Sequence, residues 1–152
     1  MICAKNQSAL VYLQKQFAAR QVVKTYIAIV EGHLKPPSAI IDMPIERNPK
    51  LPSTFRVGPN GKTAQTQYSV LTSSRSYDLV ELLPKTGRTH QLRVHMKHTG
   101  HPITGDVLYG GNQQQRLFLH AESLDITLPG DKRMTFKAPL PILFSDLMKN
   151  DT

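Results

Sequence analysis

The spacing of apolar and polar positions changes several times along these 152 residues, and each change marks an element. Leu10, Leu13 and Phe17, with Ala9 and Ala18, recur at helical spacing behind Asn6, a residue suited to cap a first turn, so a helix is expected over residues 6–21. Residues 22–30 switch to a β-branched, alternating pattern that closes at Gly32, which predicts a strand with Tyr26, Ala28 and Val30 on one face. Lys35-Pro36-Pro37 reads as a loop, residues 39–45 as a short extended piece and residues 48–52 as an irregular connection. Pro59-Asn60-Gly61, between Phe55-Arg56-Val57 and the alternating residues 63–71, predicts a hairpin turn joining two strands. Another strand is expected over 77–83, then a polar helix from Gly87 to Thr99 with Gly100 as its stop. Residues 116–128 form an extended apolar run and residues 132–137 alternate after the Pro129-Gly130-Asp131 turn. A short helix follows Pro139-Leu140-Pro141. The sum is an α+β domain, a mainly antiparallel sheet with a few flanking helices.

Composition narrows the partner. Nineteen Lys and Arg against eleven Asp and Glu give a net charge of +8, spread as singles and pairs such as Lys15, Arg20 and Lys24 rather than in a tail. That is a folded surface with a positive field, which fits nucleic acid or another polyanion without choosing between them. The single Cys3 leaves no internal disulfide and is expected to be a small buried residue. No apolar run has the length of a bilayer crossing and the amino end lacks a signal-peptide pattern, so a cytoplasmic protein is expected.

Most apparent motifs reduce to ordinary structure. Gly61-Lys62-Thr63 lacks the first glycine of a phosphate loop, because Arg56 stands there. Neither Ser69 nor Ser123 lies in a nucleophile-elbow context. His90, His95, His98 and His101 are metal-ligand types at poor spacing among cations, so no metal is expected. Tyr26 on its pattern alone is a core aromatic, although Lys24 beside it leaves base stacking open. Residues 105–111 read as a glycine-shaped loop whose Asp106 bonds local amides. The exception is residues 85–95, KTGRTHQLRVH, whose planar and hydroxylic donors are of the kind that position phosphates and bases.

Taken in order, Lys24-Thr25-Tyr26-Ile27-Ala28, Gly61 to Tyr68, Thr86 to His95, Gly100 to Gly110 and Leu119-His120-Ala121 resemble the motifs of the RluA-type RNA pseudouridine synthases. The resemblance spans nearly the whole chain and implies isomerisation of uridine to pseudouridine in ribosomal or transfer RNA, without cofactor or metal. It implies that Tyr26 packs against the target base and takes part in proton removal. Arg93 would pair with the catalytic aspartate and Leu119 would line the pocket. Arg88, Thr89, His90 and Gln91, with Lys24, would shape the site and hold RNA. The family's nucleophilic aspartate lies in an H-R-L-D-x-x-T-S-G motif before a strand that matches Met1-Ile2-Cys3-Ala4-Lys5, and Asp42, Asp78, Asp106 and Asp125 occur in other contexts. The expectation is therefore a partial catalytic domain over 1–152, truncated at its amino end and inactive alone. Arg93 would sit unpaired in an open, hydrated pocket, and the sheet would lack part of its central pairing. A non-catalytic RNA-binding module of the same fold is the alternative.

Overall fold

The computed structural model describes residues 2–151. Among them are eight strands, β1 (Val23–Glu31), β2 (Ser38–Asp42), β3 (Ile45–Arg47), β4 (Phe55–Val57), β5 (Gln65–Ser73), β6 (Tyr77–Pro84), β7 (Leu119–Leu128) and β8 (Lys132–Lys137). Three α-helices accompany them, α1 (Gln7–Ala18), α2 (Gln91–His98) and α3 (Ile142–Asn150). Six strands form one sheet in the order β2-β5-β6-β1-β7-β8, with every neighbouring pair antiparallel. The expected gap in the central pairing is absent. β1 is bonded to β6 over residues 26–31 and to β7 over residues 23–28, because its backbone has a partner strand on each side.

Both phases of β1 are apolar, so both faces of the sheet are covered. Ala28 and Val30 pack with Val80, Leu82 and the α2 residues Leu92 and Met96. Ile27 and Ile29 pack with Phe118 and the α3 residues Phe144 and Met148. At about 1.5–3 kcal/mol for each fully buried large aliphatic side chain, this two-sided centre is the main source of stability.

α1 begins as expected, with the Asn6 side chain accepting from the Ala9 amide at 2.9 Å and the Ser8 hydroxyl at 2.8 Å. It ends before residue 21, where Arg20 adopts a left-handed backbone (φ 57°) that stops the helix. Its apolar stripe is less covered than the pattern suggests. Leu13 packs with Val22 and Ile126, but Leu10 and Phe17 remain 39% and 41% exposed. Cys3 is exposed rather than buried, as Ile2 and Ala4 are the residues that turn toward Leu13.

The turn at Pro59-Asn60-Gly61 joins no hairpin. β4 pairs with β3 in a separate two-stranded ribbon, and Lys62 bridges back to Ile45 through reciprocal 2.9 Å amide bonds. A Cβ on Gly61 would come within 2.4 Å of the Ile45 carbonyl carbon, so this glycine serves a close backbone approach. The ribbon packs on α2 through Ile45, Val94 and Tyr109.

Candidate active-site cleft

The donor-rich run does not enter a helix at Gly87. Residues 86–90 form a turn and α2 starts at Gln91, because the Gln91 side chain closes that turn on itself. Gln91 Oε1 accepts from the Thr86 hydroxyl at 2.7 Å and the Arg88 amide at 3.0 Å. Its Nε2 donates to the Gln65 carbonyl at 2.9 Å and the Thr66 hydroxyl at 3.0 Å. Every donor and acceptor of the buried amide is thus used within the chain. Gln91 fixes the turn and lines the same cleft as Tyr26 and Arg93, with its amide hydrogen bonds made within the chain.

The same network sets the state of His95. Its Nε2 lies 3.1 Å from the Met43 carbonyl, which only accepts, so Nε2 bears the proton and Nδ1 accepts from the Thr66 hydroxyl at 2.9 Å. Burial pushes its pKa below the usual imidazole value, which keeps the ring neutral as these bonds require. His98 is exposed, His101 bonds the Glu31 carbonyl through Nδ1 at 2.8 Å and His90 meets Tyr109. The four histidines therefore serve four separate environments.

His90 has a left-handed backbone (φ 55°), an uncommon state for a residue with a Cβ. Its ring is held edge-on by Phe55 and Tyr109, with centroids 5.8 and 5.6 Å away. Its Nδ1 lies 2.8 Å from the Tyr109 hydroxyl, which also accepts from the Phe55 amide at 3.0 Å. Burial, then the neighbouring Arg93 charge, lowers the His90 pKa, while burial raises that of Tyr109. With both neutral, Tyr109 donates to Nδ1 and the ring proton rests on Nε2.

The expectation for Arg93 is overturned. Its Nε and Nη2 each donate to one oxygen of Asp106 at 2.7 Å, and its guanidinium lies 4.6 Å from the centre of the Tyr109 ring. Asp106 is 1% exposed and Arg93 19%, so this is a shielded bidentate pair, not an unpaired cation in an open pocket. The carboxylate comes from the 105–111 loop, which was expected to use Asp106 only for local amides. Its backbone does so, its carbonyl accepting from the Tyr109 and Gly111 amides at 3.0 and 2.9 Å. The loop is shaped by Gly105 at φ +82°, where a Cβ would stand 1.9 Å from the Arg116 carbonyl oxygen. A Cβ on Gly111 would stand 2.2 Å from that of Ile103.

Tyr26 lies half-buried on β1, opposite Leu82 of β6 and Ala121 of β7. Between its pair and that of Thr25 with Ser123, β7 carries one extra residue, Glu122, a bulge of the kind that re-aims neighbouring side chains. Leu119 opens β7 beside the same face. Lys24 Nζ donates to the Thr86 carbonyl at 3.3 Å, and burial lowers its pKa. Tyr26, Lys24, Arg88, His90, Arg93 and Leu119 share one cleft of about 500 Å³. Thr89 is exposed and lines a separate hollow on the ribbon side together with Glu46 and Arg47. Phe17 also lines the main cleft. Its helical spacing marked it as core, and only the incomplete docking of α1 sets it free. Tyr109 and Asp106, which the sequence placed in a structural loop, prove to position His90 and Arg93.

The fold is shared with a solved structure, human RNA pseudouridylate synthase domain containing 1. That chain superposes with a TM-score of 0.84 at 32% identity, over 93% of this chain and 64% of the human one. The family model described as RNA pseudouridylate synthase matches residues 1–98, and the chain belongs to this family, in its RluA-type branch, whose members are isomerases. Among its relatives are ribosomal large subunit pseudouridine synthase C of Vibrio cholerae, 38% identical over 92% of this chain, and ribosomal large subunit pseudouridine synthase D of Borreliella burgdorferi, 39% identical over 99% of it. The chain spans 47% and 49% of the length of these two proteins.

Proposed function

We propose that this chain supplies the base-binding and RNA-holding part of an RNA pseudouridine synthase acting on a uridine in ribosomal or transfer RNA. The observation that carries this is the convergence of Tyr26, Leu119, Arg93, His90, Lys24 and Arg88 on one cleft. A uridine taken out of its stack would lie against Tyr26 and Leu119, with Lys24 and Arg88 toward the strand. The reaction breaks the N1–C1′ bond and makes a C5–C1′ bond. The C5 proton leaves and N1 gains one, with Tyr26 placed at the base to take part in the proton loss. No redox partner is needed.

No carboxylate lines the cleft, and both oxygens of Asp106 are held by Arg93. In this reading the nucleophilic aspartate that the family resemblance implies is none of this chain's own aspartates. Arg93 would meet it through Nη1, which has no partner among the described residues, while Asp106 keeps the guanidinium in plane. The test is binding and tritium release with RNA carrying 5-tritiated uridine. The expected result is that the 152-residue chain binds the RNA and releases no tritium. Release over many turnovers would overturn the placement of the nucleophile, and failure to bind RNA would overturn the reading as a whole.

A further inference from the structure

Beside the base cleft lies a second hollow of about 360 Å³ whose charged lining is entirely positive: Arg20, Lys24, Lys85 and Arg88, with Thr86 and Gly87 between them. None of the four cations takes part in an ion pair among the described residues. Two of them are oriented by backbone carbonyls alone. Lys24 Nζ gives one hydrogen to the Thr86 carbonyl at 3.3 Å and keeps two, and Arg88 Nε bonds the Thr63 carbonyl at 2.9 Å and leaves both terminal nitrogens free. Four like charges around one hollow repel one another, and the fold supplies no carboxylate there to offset them.

Gly87 adds an independent observation. Its φ is not left-handed, and a Cβ there would meet nothing nearer than Lys24 Nζ at 3.9 Å, so the fold itself does not demand glycine. Its amide donates to no group among the described residues, and it is exposed at the junction of the two hollows. A bare backbone amide ringed by ammonium and guanidinium donors suits a tetrahedral oxyanion better than a planar carboxylate. Because Lys24, Thr86, Gly87 and Arg88 line both hollows, an anion held here is adjacent to whatever base rests on Tyr26.

We propose that Arg20, Lys24, Lys85 and Arg88, around the Gly87 amide, form a phosphate subsite that holds the backbone phosphodiester next to the nucleotide in the cleft. The proposal rests on the functional reading above and adds Arg20 and Lys85 to the RNA-holding residues. Both are exposed and lie outside the base cleft, so R20Q/K85Q should fold and melt as the parent does.

The test measures binding of the 152-residue chain to a uridine-containing stem-loop RNA over a salt series. One phosphate contact accounts for roughly 0.7–0.9 in the slope of log K against log salt, and the double variant should lose about that much. A single neutral methylphosphonate linkage beside the target uridine should weaken the parent at least as much as R20Q/K85Q does and weaken the variant by a smaller factor than the parent, since only Lys24, Arg88 and the Gly87 amide still face the linkage there. Inorganic phosphate should compete with the RNA and shift the Gly87 and Arg88 amide resonances. An unchanged slope, or additive losses from the linkage and the variant, overturns the subsite while RNA binding by the parent upholds the functional reading. Phosphate that binds at Gly87 without competing overturns the assignment to RNA in favour of a free-phosphate site. A parent that binds no RNA brings down both.

Discussion

Arg93 and Asp106 show how one side chain can anchor another without entering the cleft itself. Removing one partner of a buried, bidentate pair leaves the other charge uncompensated, typically at a cost of about 3–5 kcal/mol. Asp106→Ala is therefore expected to lose stability on that scale, somewhat reduced because Arg93 keeps 19% of its exposure, and chemical denaturation of the variant and its parent would measure it. A loss below about 1 kcal/mol would mean that the pair behaves as a surface ion pair. His95 makes a second prediction, of opposite dependence on pH from a salt-bridged histidine. Its folded pKa lies below the ordinary 6.5, so the unfolded chain binds a proton that the folded chain refuses. Stability is expected to fall as pH drops through 6.5 and to level off below the folded value, with His90 contributing in the same direction. His33, raised by its bond to Asp78, adds stability as pH falls, but at 45% exposure it counts for less. Unfolding midpoints from about pH 8 to about pH 5 should decline less steeply in His95→Gln than in the parent. Equal slopes would mean that the ring is not held neutral.

Among the elements, the loop over residues 102–111 has the tightest steric demands. Gly105 combines a positive φ with a Cβ position 1.9 Å from the Arg116 carbonyl, so Gly105→Ala must move either the loop or the strand entry beyond it. The variant is expected to melt well below its parent and to release Arg93, and a crystal structure showing Asp106 still bidentate in a protein of unchanged stability would contradict this. Strands and helices were legible in the sequence wherever one period governs. β6, β8 and the Asn6 cap follow from alternation or helical spacing and β1 from its β-branched run, although both of its faces are buried, and the family motifs point to Tyr26, Lys24, Arg88 and Leu119, which share one cleft. What escaped the sequence depends on contacts distant along the chain. Gln91 closes its turn through Thr66 and Gln65, which postpones α2 beyond the position suggested by Gly87. Asp106 reaches Arg93 because two glycines fold the loop back, and Lys62 bridges to Ile45 because Gly61 permits the close backbone approach. The bulge at Glu122 leaves no mark in the alternation of β7, yet it lies beside Tyr26.

Across the whole molecule, stability and recognition occupy different regions. The centre of the sheet is covered by α2 on one side and α3 on the other, with Ala28, Ile29, Val30, Val80 and Leu82 at zero exposure. β8 is mostly exposed, α1 buries a single side chain, and the turn over 86–90 lies between the two hollows, contributing Thr86, Gly87 and Arg88 to both. Amides whose opening requires global unfolding should therefore belong to β1 and β6, and hydrogen exchange should be slowest over residues 27–30 and 79–82. Exchange over β8, α1 and the 86–90 turn should be faster by orders of magnitude, since those amides open without the centre. Addition of a uridine-containing RNA should slow the turn and leave the central amides nearly unchanged. Tyr26 and Lys24 are fixed to the most protected strand while Arg20, Lys85 and Arg88 stand on connecting segments outside the sheet, so the base would meet a rigid floor and the strand a partly adaptable rim. Exchange of the Tyr26 amide by local opening, at a free energy well below that of global unfolding, would refute the rigid floor.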